Sequence, residues 1–218
     1  GMLSFFTELN RKPAPKGVFD FITHTVCPIV HAADDISVME TLESLPSIIA
    51  STRNMIGKDT PYLLGPSSIP CRDNPYGAVV SANPGNSRVC LADMDPRQRG
   101  LFAAAWNVGL LSAFAKGGLD AVSLGAVTGP QGAIYRKADY AQPWFDGAKA
   151  EVYPTYHVLA GLAAASGNRR LDAVSSALDV ARAAHADPFD HAVGVAGVAG
   201  GVEETVFDRR GSTVQNED

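Results

Sequence analysis

Apolar residues concentrate in four short, β-rich runs along the chain. The runs span residues 2–9, 18–26, 61–69 and 119–127. Apolar residues are nearly continuous in the last two, which is typical of strands covered on both faces. Segments with helical periodicity separate the later runs. The pattern therefore predicts βαβ crossovers and an α/β fold with mainly parallel strands.

A helical pattern covers residues 34–57, between the second and third runs. Asp34, Asp35 and Ser37 are candidates for its N-cap, because short polar side chains accept hydrogen bonds from the first turn of a helix. Pro46 removes a backbone donor inside the pattern. It predicts a kink or a break into two shorter helices.

Two further helices are predicted later in the chain. Asp95 as N-cap and Pro96 at the first helical position begin one of them, which ends at Gly117. The third covers residues 152–167. The link from Gly117 to the next strand is short, as it is in α/β units, whereas the links that follow the strands are long.

The long links lie where α/β folds build their binding sites. They span residues 27–35, 66–95 and 128–151 and are rich in Pro, Gly, Asn and Asp. Loops at the carboxyl ends of parallel strands usually carry function, so these segments are the predicted site. No GxGxxG or GxxxxGK[ST] motif opens a helix, which leaves a dinucleotide-binding or P-loop assignment without support.

Composition narrows the function classes. The 218 residues are 46% hydrophobic and 19% charged, with a formal charge of −5 and no basic cluster, so a nucleic-acid partner is not expected. No apolar run reaches ~18 residues, so no membrane partner is expected either. Gly1 resembles the remnant of an expression tag before the start at Met2, and the expected location is the cytoplasm.

The cysteines do not suggest a disulfide framework. Cys27, Cys71 and Cys90 are odd in number and irregularly spaced, which favours reduced thiols. The stretch 21–35 adds histidines and aspartates around Cys27, and zinc held by His24, Cys27 and His31 is one alternative for it. An active-site loop, or polar residues scattered at a strand end, are the others. No metal or other cofactor is predicted.

Several long motifs resemble one family of proteins. They are "FFTELNR", "DFITHTVCPIVHAADDISVMETLESLPSI", "GPSSIPCRDNPYG", "DPRQRGLFAAAWNVGLLSAFAKGGLDAVSLGAVTGPQG" and "VYPTYHVLAGLAAASG". In this order they resemble the D-apionate lactonase family over about residues 3–170. The resemblance implies hydrolysis of the lactone of a branched sugar acid. It also implies a TIM barrel related to glycoside-hydrolase barrels, which β-rich domains flank in the family.

The resemblance implies only part of that barrel. Residues 2–170 would form a half TIM barrel of about four β/α units, and residues 171–218 would form a divergent tail. Four units leave two open sheet edges and an exposed apolar face. A homodimer that completes an eight-stranded barrel would remove both, although the tail could instead cover an edge.

Candidate catalytic residues follow the predicted strands. Glu8 is expected at a strand end, where barrel enzymes place catalytic carboxylates. His24 shares a strand face with Asp20 and is a candidate general base, the alternative being a core histidine. His31 is a second candidate base. Asp34 or Asp35 could orient an imidazole, or could simply cap the helix that follows.

Candidate substrate-binding residues lie in the two later loops. Arg72 and Asn74 could hold the carboxylate or hydroxyls of a sugar acid, or could belong to a turn. Gln131 follows the fourth run in a glycine-containing loop that allows close approach to a ligand.

The candidate residues and the resemblance together lead to three alternative functions. The first is hydrolysis of a sugar-acid lactone, with a small sugar-acid or carbohydrate substrate. The second is a truncated, catalytically inactive half-barrel that self-associates. The third is glycoside hydrolysis, which needs a second carboxylate. The stretches "LLGPSSI" and "VSLGAV" in the third and fourth runs carry no acidic residue.

Overall fold

The computed structural model describes residues 4–137, Gln142, residues 151–166 and two short β-segments near the carboxyl terminus. These β-segments are Val206–Phe207 and Thr213–Val214, which pair antiparallel. The other predictions for residues 171–218, including the divergent tail, concern residues outside those described.

A parallel sheet of three strands forms the centre of the fold. Its strands are β1 (Ile22–His24), β2 (Tyr62–Ser67) and β3 (Ala121–Leu124), in the order β1-β2-β3. Ile22 lies opposite Tyr62, and both pairings are parallel. Three of the apolar runs thus contain parallel strands, so the α/β prediction is confirmed and the sheet is consistent with part of a TIM barrel.

The described part of the first run, residues 4–9, is mostly helical, contrary to the strand predicted over residues 2–9. Helix α1 spans Phe6–Arg11, and only Phe5 makes a parallel bridge, to Thr25 at the end of β1. Beyond Phe5 the polar residues recur at helical spacing, with Leu9 buried. Within the described residues, the parallel sheet therefore has three strands, with one bridge at the edge of β1.

Pro46 divides the next helical segment as predicted. Helix α2 spans Asp35–Glu40, a 3₁₀ turn spans Thr41–Ser44, and helix α3 spans Leu45–Ile56. Proline fits the first turn of α3 because the first N–H groups of a helix have no partner within it. Gly57 ends α3 with a positive φ of 82°.

The helix predicted to begin at Asp95 is also divided into two elements. The sequence pattern did not indicate this division. Asp95 caps a 3₁₀ turn over Pro96–Arg99, and Gly100 is extended, with φ −106° and ψ 178°. Helix α4 then spans Leu101–Lys116, and helix α5 spans Pro154–Ala164.

The core lies between one face of the sheet and the helices; we call it the sheet–helix layer. Trp106 and Phe114 of α4 are fully buried against Tyr62 and its neighbours on β2. Close packing explains one glycine of α4, because a Cβ at Gly109 would lie only 2.5 Å from Cδ1 of Leu42.

The opposite face of the sheet is less covered. By the alternation of the strands, Phe21, Thr23, Leu63 and Ala121 share this face. Phe21 is 43% exposed and Leu63 is half-buried. Among the described helices, none has the length and apolar character needed to cross a membrane.

Candidate functional site

The loops that leave the three strands meet at one edge of the sheet, the carboxyl edge. They follow His24, Ser67 and Leu124, and parallel pairing brings the three strand ends together. The amide of Val26 donates to Oγ of Ser67 at 3.0 Å, which joins the first two ends directly. The long links are therefore neighbours, as the sequence predicted.

Two glutamines hold the bases of these loops. Gln98 is fully buried; its Oε1 accepts from the amide of Ile69 at 3.2 Å. Gln131 donates through Nε2 to the carbonyls of Cys71 and Asp93, at 3.4 and 3.2 Å. The side-chain amide of Gln131 thus joins the loops after β2 and β3, and its predicted contact with substrate stays a prediction.

An ion-pair cluster fastens the loop after β2 to helix α2. Nη2 of Arg97 lies 2.7 Å from Oδ2 of Asp95, and Nη1 lies 2.9 Å from Oδ1 of Asp35. Arg88 reaches the other oxygen of Asp35 at 3.0 Å. Burial alone would lower the pKa of Arg97, but the two carboxylates raise it overall. Asp35 is therefore engaged by arginines rather than serving as a cap.

The side chain of His24 lies in the sheet–helix layer, although His24 is the last residue of β1. It is 1% exposed, and its ring packs against Phe6 and Phe114. Nδ1 lies 3.1 Å from the carbonyl of Thr25, which can only accept, so Nδ1 carries the proton and Nε2 accepts from the Tyr62 hydroxyl at 2.7 Å. Burial lowers the pKa of His24, outweighing the opposite effect of the Thr25 carbonyl.

This placement corrects the interpretation of His24 as a general base. Strand alternation assigned His24 to the face of Ile22, but that face points toward the helices. A neutral imidazole with both nitrogens engaged and no access to solvent has no route to a substrate. The structure favours the alternative, a core histidine.

The two candidate carboxylates lie at helix ends. Glu8 is in the first turn of α1, not at a strand end, and its Oε1 lies 2.6 Å from Nη1 of Arg11. Asp34 is the N-cap of α2; its Oδ1 accepts from the amide of Ser37 at 2.9 Å, and this bond lowers the pKa of Asp34. The premise that Glu8 ends a strand was wrong, and Asp34 acts as the cap that the sequence offered as its alternative role.

His31 and Tyr76 form an exposed pair at the carboxyl edge. Nε2 of His31 lies 3.3 Å from the Tyr76 hydroxyl, and the ring centroids are 5.7 Å apart. Asn74 fixes the turn that presents Tyr76: its Oδ1 accepts from the amide of Tyr76 at 2.9 Å, and its Nδ2 donates to the carbonyl of Val79 at 2.7 Å. Asn74 therefore belongs to a turn, which was the alternative to its predicted contact with a substrate.

Sequence reasoning missed Tyr76. The only signal was an aromatic residue within the turn "DNPYG", where a side chain is expected to be exposed. Its partner, His31, lies 45 positions away in sequence, so the pair becomes visible only in the fold.

Arg72 lies where the loops after β2 and β3 meet. Its Nη2 donates to the carbonyl of Gly125 at 2.8 Å, and the side chain is exposed. Partial burial lowers the pKa of the guanidinium, which stays charged at neutral pH. A guanidinium has five N–H donors, so one bond to a carbonyl leaves donors for a ligand oxygen.

The three residues of the zinc alternative do not converge. His24 is engaged by Tyr62, His31 pairs with Tyr76, and Sγ of Cys27 lies 3.0 Å from Sγ of Cys71. Within residues 4–137 and 151–166, no group of three or more His, Cys, Asp or Glu side chains is arranged to hold a metal ion.

The amino-acid sequence of the chain is similar to that of a known protein family. A family model described as "D-apionate lactonase, TIM barrel domain" matches residues 1–167. The chain belongs to the D-apionate lactonase family. A curated D-apionate lactonase of Brucella anthropi is 47% identical over 163 residues, which cover 75% of this chain and 26% of that protein. No solved structure was found to match the chain.

Membership in the D-apionate lactonase family confirms the resemblance seen in the motifs. The match to the family model ends at residue 167. The chain spans about a quarter of the length of the Brucella anthropi relative. The parallel sheet is what a portion of a TIM barrel presents, with its loops gathered at the carboxyl edge.

Proposed function

We propose that this chain hydrolyses the lactone ring of a sugar acid of the D-apionolactone type. The observation that carries the proposal is its 47% identity to a D-apionate lactonase together with the match to that family's barrel domain. Lactone hydrolysis requires a base that activates water and donors that stabilise the oxyanion formed at the carbonyl.

His31 is the base in this proposal. It is the exposed histidine of the carboxyl edge, whereas His24 is enclosed in the sheet–helix layer. An imidazole accepts a proton from water near neutral pH. The Tyr76 hydroxyl, 3.3 Å from Nε2, orients the ring, and the turn held by Asn74 keeps Tyr76 in place.

Arg72 supplies the positive charge. Its bond to the carbonyl of Gly125 aims the guanidinium across the gap between the loops after β2 and β3. A charged donor at this position stabilises a developing oxyanion, or holds the carboxylate of the product. Arg72 thereby keeps the substrate-binding role expected from the sequence.

The test measures acid release from D-apionolactone and from a series of aldonolactones by the purified chain. We expect His31→Gln to lower kcat by roughly 10²–10⁴-fold, the range typical of a lost general base. His157→Gln is the matched control, because His157 is an exposed histidine on α5 and should leave kcat unchanged. Full activity of His31→Gln would overturn the assignment of the base.

The same assay separates the alternatives. A folded chain that hydrolyses none of the lactones would support the inactive half-barrel. Cleavage of aryl glycosides without lactone hydrolysis would support glycoside hydrolysis. The homodimer stays a prediction, and light scattering that shows a monomer would contradict it.

A further inference from the structure

Two cysteines that are distant in sequence are in contact at the carboxyl edge. Cys27 and Cys71 are 44 positions apart, yet their Sγ atoms lie 3.0 Å from each other. A disulfide bond is about 2.05 Å long, so the two sulfurs are about 1 Å from bonding distance. Both are free thiols in this structure.

The backbone around each cysteine is held in place. The amide of Cys71 donates to the carbonyl of Ala92 at 2.8 Å, and Sγ of Cys27 points to the carbonyl of Ile69 at 3.2 Å. Cys27 follows Val26, whose amide is bound to Ser67 on the neighbouring strand. The approach of the sulfurs is therefore set by the pairing of β1 with β2, not by two free side chains.

We propose that Cys27 and Cys71 are a redox modification site, which closes to a disulfide on reaction with a low-molecular-weight disulfide such as oxidised glutathione. The thiolate of Cys27, the less buried of the two, attacks the reagent and releases one molecule of the reduced thiol. The thiolate of Cys71 then attacks Sγ of Cys27 and releases the second. Two protein thiols are oxidised, one reagent disulfide is reduced, and both protons leave on the reduced thiols.

The environment of the pair sets the rate of this reaction. Burial raises the pKa of the Cys27 thiol well above its usual value, and the neighbouring Cys71 adds to the effect. Only the thiolate attacks a disulfide, so the first step is slow at neutral pH and accelerates as pH rises. The second step is intramolecular and starts from sulfurs already in contact.

The cross-link acts on the loops of the candidate site. Cys27 is four residues before His31, and Cys71 immediately precedes Arg72. The bond would join the bases of the loops that carry these side chains. Closing a loop of 44 residues removes enough entropy from the unfolded chain to raise Tm by roughly 10 °C.

The test incubates the purified chain in glutathione buffers that range from reducing to oxidising, at pH 7 and pH 8.5. We expect the intact mass to fall by two hydrogen atoms, faster at the higher pH. Peptide mapping without reduction should recover the Cys27 peptide joined to the Cys71 peptide. Stable glutathione adducts without this loss, a link to Cys90, or no change at the most oxidising ratio would each overturn the proposal.

Two variants provide matched controls. Cys90→Ser removes the third, half-buried thiol and should still form the cross-link. Cys27→Ser should show neither the mass loss nor the increase in Tm under oxidising conditions. The mapping of the unmodified chain is decisive by itself, so the test stands even if Cys27→Ser folds poorly.

Discussion

His24 and His31 belong to one short segment of chain but to two different regions of the molecule. His24 is enclosed in the sheet–helix layer, with both ring nitrogens bonded to protein atoms. His31 is exposed at the carboxyl edge, where its Nε2 lies 3.3 Å from the hydroxyl of Tyr76, which is also exposed. The same residue type is thus a packing element in one region and a candidate for chemistry in the other.

The two regions divide stability and binding between them. In the sheet–helix layer, large side chains such as Trp106 are fully buried, and both ring nitrogens of His24 have partners inside the protein. At the carboxyl edge, the bases of the loops are tied together while Tyr76 is 66% exposed. Substitutions in the layer should therefore change the free energy of unfolding, and substitutions of exposed side chains at the edge should leave it nearly constant.

The largest expected effect is that of Trp106→Ala. Trp106 is fully buried in α4, and its Nε1 donates to Oγ1 of Thr41 at 3.2 Å. Truncation leaves a cavity and should lower the free energy of unfolding by roughly 3–5 kcal/mol. Urea unfolding followed by circular dichroism measures this loss.

Leu101→Ala on the same helix is the control. Leu101 is exposed, so the change should stay within roughly 0.5 kcal/mol, as is usual for surface substitutions. A comparable loss in both variants would contradict the difference in burial between Trp106 and Leu101.

A smaller effect is expected when the same tyrosine substitution is made in each region. Tyr62→Phe removes the hydroxyl that donates to Nε2 of His24, which leaves a buried acceptor without its partner. The free energy of unfolding should fall by roughly 1–3 kcal/mol. Tyr76→Phe should change it by less than roughly 0.5 kcal/mol, because water replaces the lost contact. Equal losses in denaturant titrations would remove the distinction between the two regions.

The smallest expected effect is a pH dependence due to His24. Burial lowers the pKa of His24 in the folded state. Above the unfolded pKa of about 6.5, His24 is neutral in both states, and its full contribution to the free energy of unfolding is present. As pH falls below that value, the unfolded chain binds a proton that the folded chain excludes, and stability decreases until the folded pKa is passed.

Thermal unfolding between pH 7.5 and pH 5 measures this dependence. The decrease should be smaller in His24→Gln than in the unmodified chain, and His31→Gln should retain it. A steeper decrease in His24→Gln would contradict the lowered pKa of His24.

Local features of the fold could be predicted from the sequence. The break at Pro46 and the stop at Gly57 depend on backbone properties of single residues, and both were found. The first apolar run could not be assigned in the same way. Its apolar residues suit a strand and a helix alike, and the structure places Phe6–Arg11 in α1.

The candidate site was less predictable because it depends on pairs. Alternation shows that His24 and Ile22 share a face, but it does not show which face the helices cover. Asn74 suited both a turn and a ligand contact, and its bonds to Tyr76 and Val79 decide between them. The contact between Cys27 and Cys71 depends on the pairing of β1 with β2, which spacing alone does not reveal.

The buried side-chain amide of Gln98 affects which parts of the sequence can change in evolution. One side chain, outside the sheet, binds the amide of Ile69 and reaches the carbonyl of Gln131 at 3.4 Å, so this anchor contacts two loops at once. Their outer parts, such as the exposed stretch 76–79, can accept insertions or replacements while this anchor persists. The loop tips can therefore change without altering the residues that fold the sheet.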